Sequence, residues 1–127
     1  MCDIGLRYYL LGTKPADFGH ILENIVFLEL LRRGNEVYVG KVDDSEIDFV
    51  AIYNGEKTYY QVAYTVIDSD NSEKTLTREL KPLKSVKDNC EKILLTMDNI
   101  PPVSYDGIKQ KYVLDWLLEK LQRNQNW

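Results

Sequence analysis

Cysteine is nearly absent from this chain of 127 residues: there are two, Cys2 and Cys90, far apart and in no C-x-x-C spacing. That usage excludes a disulfide-stapled scaffold and a cysteine-based zinc site, and it fits a reducing compartment. There is one histidine, His20, and no serine or cysteine has a visible partnership with it, which excludes a hydrolytic triad. Long apolar runs are missing too. Ile25 to Leu28 is cut by Glu29 and Trp116 to Leu118 by Glu119, far short of the ~20 residues a membrane helix needs. No basic segment followed by an apolar core opens the sequence, so no signal peptide is expected. A cationic excess is also lacking: 16 Lys+Arg against 20 Asp+Glu give a net charge of −4. Charge alone therefore excludes a basic nucleic-acid module, though a local basic face is compatible with it. The G-x4-G-K-[S/T] phosphate loop is absent as well. These absences lead to the expectation of a cytoplasmic protein without membrane contact.

What is present is a globular composition, 44% apolar and 28% charged, at the length of one domain. Residues 1–18 read as an irregular arm punctuated by Gly12 and Pro15. From Gly19 to Arg33 the apolar residues Ile21, Ile25, Leu28 and Leu31 recur at helical spacing, with Val26, Phe27 and Leu30 on the other side. A helix apolar on most of its circumference is expected to be buried, and Gly34 supplies its C-terminal cap. Three strands follow: Glu36 to Gly40, Ser45 to Tyr53 and Thr58 to Val66. Alternation in the second sets Ile47, Phe49 and Ala51 against Glu46, Asp48 and Val50. Asn54-Gly55 predicts a two-residue hairpin between the last two strands. A second helix starts near Thr75, with Leu76, Leu80 and Leu83 inward, and Pro82 is expected to kink or reset it. A fourth strand spans Glu91 to Met97 and a fifth Gly107 to Val113, before a terminal helix from Leu114 to Leu121. The order helix, three strands, helix, strand, strand, helix implies an α/β fold with a mixed central sheet flanked by helices.

Three polar residues stand where apolar ones would serve that fold better. Glu23 shares a side of the first helix with Val26, Phe27 and Leu30. Asp48 interrupts the second strand, where Asp is disfavoured, and Gln61 interrupts the third. Pairing about Asn54-Gly55 sets Asp48 opposite Gln61. A helix carboxylate over that face would complete a cluster of oxygen donors suited to Mg²⁺ or Mn²⁺. On the second helix Lys74, Arg78 and Lys81 share one face, continued with drift by Lys84 and Lys87. The ordinary reading is a solvated face; the functional one is a track for nucleic-acid phosphates. Tyr8, Tyr9 and Tyr64 are candidates for stacking on bases; the tyrosines as a group are expected to pack the sheet.

A glutamate in the first helix, an aspartate in a strand and an amide or acid in its hairpin partner resemble the PD-(D/E)XK nuclease pattern. Asp3-Ile4-Gly5-Leu6-Arg7, Gly19-x3-Glu23-Asn24-x-Val26, Glu46 to Val50, Tyr60 to Ala63, Thr77 to Leu80 and Asp88 to Lys92 follow in order. Together they resemble the C-terminal domain of unknown function of prokaryotic AAA-type ATPases, from Asp3 to about Leu118. The resemblance implies a restriction-endonuclease-like core in a single domain, residues 1–127, cut from a longer ATPase. It implies Glu23, Asp48 and Gln61 as the metal-ligand positions and the ATPase module as a partner. The pattern places a lysine two residues after Gln61, where this chain has Ala63. That lysine would activate the attacking water and stabilise developing charge. Lys57 has the right strand parity but lies ~13 Å away along the strand. The expected function is thus a degenerate, non-catalytic nuclease-like module contacting nucleic acid or protein. The alternatives are a Mg²⁺-dependent DNA nuclease and an oligomerisation domain.

Overall fold

The computed structural model describes residues 18–42, 45–66 and 72–125. The elements are α1 (Phe18–Arg32), β1 (Glu36–Val42), β2 (Ser45–Tyr53), β3 (Glu56–Val62), α2 (Ser72–Ser85), β4 (Glu91–Thr96), β5 (Val103–Tyr105), β6 (Ile108–Tyr112) and α3 (Val113–Gln125). The expected arm over residues 1–18 and the residues Tyr8 and Tyr9 fall outside the described residues, apart from Phe18 at the start of α1.

The α1 helix ends where the sequence says it should. Gly34 adopts φ +91°. Its N–H donates to the Leu31 carbonyl while that of Asn35 reaches back to Leu30, the paired bonds of a Schellman cap. Asn54 and Gly55 both have positive φ, as a type I′ hairpin requires. Asp106 and Gly107 repeat that geometry and join β5 to β6, a short hairpin absent from the expected strand list. The Asp-Gly dipeptide was its signal; three residues of β5 were too few to show alternation.

The six strands form one sheet in the order β1-β2-β3-β4-β6-β5. The first three run antiparallel, β3, β4 and β6 are mutually parallel, and β5 is antiparallel to β6. Two cores lie on its two faces. On one, Leu22, Val26 and Leu30 of α1 and Val113, Leu114 and Trp116 of α3 pack with Ala51, Tyr60, Val62, Ile93 and Leu95. On the other, Leu80 and Leu83 of α2 pack with Ile47, Tyr59, Ala63, Leu94 and Ile108. The architecture is therefore a mixed sheet between helical layers. Arg33 ties α1 to α3: its Nη2 donates to the Trp116 carbonyl at 2.6 Å, and its guanidinium lies 4.3 Å from the centre of the Trp116 ring system.

Four expectations need correction. First, Pro82 does not reset α2, which continues through it to Ser85. Proline deletes one helical bond and costs ~3 kcal/mol, and the burial of Leu80 and Leu83 on either side offsets that loss. Second, β3 ends at Val62 rather than Val66. Ala63 and Tyr64 still exchange backbone bonds with Leu95 and Met97, and past them Asp98 holds the chain by accepting bonds from Thr65 Oγ1 and Val66 N–H. Third, α1 is not buried all round: Leu28 and Leu31 are exposed, as are Tyr38, Tyr53 and Tyr64 among the tyrosines. Fourth, strict alternation fails in β2. Tyr38 pairs with Val50 and Gly40 with Ile47, so two steps on β1 match three on β2. A bulge at Asp48-Phe49 moves Ile47 to the α2 face, beside Val50. Gly40 accommodates it: a Cβ there would meet Val50 Cγ2 at 2.8 Å and Ile47 Cβ at 3.0 Å.

Candidate functional site

The hairpin register holds as far as Phe49 opposite Tyr60, one step short of Asp48 and Gln61. At that step the backbone ladder gives way to side chains. The Asp48 N–H donates to Gln61 Oε1 at 2.9 Å, and the Val62 N–H donates to Asp48 Oδ2 at 2.8 Å. The two sequence-singled residues are thus brought together as the splice at which β2 and β3 part. The bulge supplies the reason: it turns the β2 backbone away from β3, and the two side chains satisfy the N–H groups left behind.

Asp48 is half-buried, and its pKa is pushed up from 3.8 to about 6. Burial is the largest cause; the bond from Val62 opposes it, and the negative charges of Glu23, Glu79 and Glu46 raise it further. Glu23 is half-buried on α1. It lies one helical turn from Phe27, whose ring stacks on Phe49 at 5.9 Å, so this flank of α1 lies over the bulge. Glu79 reaches the same neighbourhood from α2. Burial raises its pKa, Arg78 lowers it and Glu23 raises it. The strand fork therefore lies in the joint field of Glu23, Asp48 and Glu79. Nothing in the sequence assigns Glu79 to this site; helical spacing puts it on a flank of α2, and only the packing of α2 on the sheet turns that flank toward Asp48.

Asp48 Oδ2 and Gln61 Oε1 each already accept a backbone N–H. No group of three or more His, Cys, Asp or Glu side chains is placed to hold a metal ion among the described residues. Ala63, where the nuclease pattern has lysine, is buried with the α2-side core, and its N–H bonds the Leu95 carbonyl. Lys57 is exposed and lies 5.9 Å from the centre of the Tyr59 ring, away from the fork. His20 is exposed.

Lys74, Arg78 and Lys81 are all exposed on the pole of α2 opposite its core residues. A cavity of about 570 Å³ opens at the far end of the sheet, where β4 and β6 begin, lined by Lys84, Lys87, Asp88, Cys90 and Lys92 among others. Its charges are largely engaged. Asp88 accepts from Tyr59 Oη at 2.6 Å and from the Cys90 N–H, while Lys92 Nζ donates to the Asp88 and Cys90 carbonyls. Burial and the Asp88 carboxylate push the Tyr59 hydroxyl up to about 12.

No family model and no solved structure matches the chain. It is similar to two curated proteins, both described as uncharacterized. One, from Haemophilus influenzae, is 45% identical over 117 residues, covering 92% of this chain and 28% of that protein. The other, MJ1544 from Methanocaldococcus jannaschii, is 38% identical over 87 residues, covering 64% of this chain and 19% of that protein. The chain thus spans about a quarter and a fifth of the lengths of these relatives.

Proposed function

We propose that this chain is a restriction-endonuclease-like module without catalytic activity, borne by a larger AAA-type ATPase and serving it through contacts with nucleic acid or protein. The observation that carries the reading is the fork of β2 and β3. The positions that would present metal ligands in a nuclease of this pattern instead hold each other's backbone, Gln61 to Asp48 N–H and Asp48 to Val62 N–H. An amide replaces the acid, and Ala63 replaces the lysine that would act on water. The element order, with a helix, three antiparallel strands, a helix and a parallel strand, is compatible with such a core; fold alone does not establish an activity. The short share of each relative covered by the chain supports a place in a longer protein.

The second reading is a Mg²⁺- or Mn²⁺-dependent nuclease, and one observation favours it. Glu23, Asp48 and Glu79 act on one another electrostatically, and a divalent ion would relieve their repulsion. In that reading Glu23 and Asp48 would hold the ion, with Gln61 Oε1 as a weaker donor, and the ion would supply Lewis-acid activation of water. The test is incubation of supercoiled and linear DNA with the protein and each cation, alongside Asp48→Ala. The proposal expects intact DNA and no cation-dependent rise in melting temperature beyond that of Asp48→Ala. Cleavage by the wild type that Asp48→Ala abolishes would overturn it in favour of the nuclease.

A further inference from the structure

We infer that the solvent face of α2 is a track for the sugar–phosphate backbone of a nucleic acid, with Lys74, Arg78 and Lys81 as its contacts. This names the partner of the module proposed above and rests on that reading only for the choice of polyanion.

The argument starts from how the chain disposes of its positive charge. Most described cations outside this face are neutralised locally: Arg32 and Arg33 by Glu29, Lys92 by Asp88, Lys109 by Glu91 and Lys111 by Glu119. Lys84 at the end of α2 pairs with Asp106. Lys74, Arg78, Lys81 and Lys87 are exposed and make no ion pair among the described residues. In a chain of net charge −4, three exposed cations on one sector of a helix, unpaired among the described residues, are not what composition delivers.

Geometry separates this row from an ordinary mixed helix face. Positions i, i+4 and i+7 fall within a narrow sector, and ~10 Å separates the first from the last along the axis. The one acid within that span, Glu79, is half-buried on a flank of the helix, where Arg78, Glu23 and Asp48 act on it. No acid falls between the three cations on their shared sector. Leu80 and Leu83, both buried, fix the helix to the sheet, so the cations are displayed on a rigid support. Lysine ammonium groups act as mobile point charges that follow a phosphate chain without reading its bases.

The experiment is fluorescence anisotropy of labelled duplex DNA and of the matching single strand, titrated with the protein at several salt concentrations. Three to four neutralised phosphates give a slope of log K against log[salt] of about −3 for duplex and somewhat less for single strand. The triple variant Lys74→Gln/Arg78→Gln/Lys81→Gln is expected to fold normally, because all three side chains are exposed. It should weaken binding at moderate salt by more than about tenfold and flatten the slope by about two to three. Duplex and single-strand titrations decide which form the track takes. Asp48→Asn should bind as the wild type does. An unchanged slope in the triple variant overturns the track. So does loss of binding in Asp48→Asn alone, which would put the nucleic acid at the strand fork and leave the module reading intact. Binding to neither nucleic acid overturns the track as well and points the row toward an acidic protein surface; the cation and cleavage tests at Asp48 would be unaffected.

Discussion

Asp48 has two duties that pull its proton in opposite directions. Its carboxylate accepts the Val62 N–H, which favours the charged form, while burial and the charges of Glu23, Glu79 and Glu46 favour the neutral one. The second group wins, and the folded-state value of about 6 lies above the ordinary 3.8. A raised acid binds its proton more tightly when folded. Its contribution to stability is therefore complete below about pH 4 and lost as pH rises through 6. Screening by the solvent that still reaches it limits the loss to ~1–2 kcal/mol. Asp48→Asn keeps an oxygen for Val62 and has no charge to bury. Urea midpoints at pH 5 and pH 7 should differ less for this variant than for the wild type; equal differences would show that another group titrates. Gln61 is 6% exposed and takes the Asp48 N–H. Gln61→Ala orphans that donor and should cost ~1–3 kcal/mol. Gln61→Glu keeps the acceptor but adds a carboxylate to the field of Asp48, Glu23 and Glu79. It should lose stability as pH rises from 5 to 8 and recover part of it with Mg²⁺, read as a melting-temperature rise larger than in the wild type.

At the scale of elements, the bulge in β2 is the feature on which the site depends. It reverses the side of Ile47, ends the β2–β3 ladder and brings the flank of α1 carrying Glu23 and Phe27 over the gap. Gly40 across from it is the residue that lets β1 follow. Gly40→Ala would force a methyl to 2.8 Å from Val50 Cγ2, and overpacking of this kind costs ~1–3 kcal/mol. A chemical-denaturation midpoint unchanged from the wild type would mean that β1 shifts freely, and that the bulge is not held in place by β1. The bulge was not legible in the sequence. Alternation of apolar and polar residues reads Ile47, Phe49 and Ala51 as one face, and nothing local says that an extra residue is inserted among them. The hairpin turn, by contrast, was legible at Asn54-Gly55, because only such residues accept two successive positive φ values.

At the scale of the whole molecule, the two helical layers are joined differently to the sheet. Among the described residues α2 is the one helix on one face; on the other α1 and α3 meet through Arg33 and Trp116. Glu29, 9% exposed, receives hydrogen bonds from both Arg32 and Arg33. Burial works against its charge, but these bonds hold its pKa below the usual carboxylate value. Arg33 thus satisfies a buried acid, caps the Trp116 carbonyl and lies over the Trp116 ring. Arg33→Lys keeps the charge and loses the planar fork, and should cost ~1–2 kcal/mol in thermal or urea unfolding. Trp116→Ala removes a side chain that is 1% exposed and stacked edge-on to Tyr60, and should cost ~3–5 kcal/mol. A smaller effect of Trp116→Ala than of Arg33→Lys would mean that the ionic network, and not apolar burial, joins α1 to α3.

Local sequence was enough for most of the elements and for the candidates: the helices from 3.6-residue periodicity, the hairpin from Asn54-Gly55, the mixed α/β class from the order of elements, and Glu23, Asp48 and Gln61 from polar residues at positions that suit apolar ones. These are local properties, decided by backbone sterics and by which residues favour water. Tertiary structure alone decided how the candidates are used. It inserted the bulge, continued α2 past Pro82, turned Glu79 toward Asp48 and engaged both Asp48 and Gln61 with backbone N–H groups. Each of these outcomes depends on residues distant in sequence, because burial and the need to satisfy every buried polar group are settled only when the layers pack.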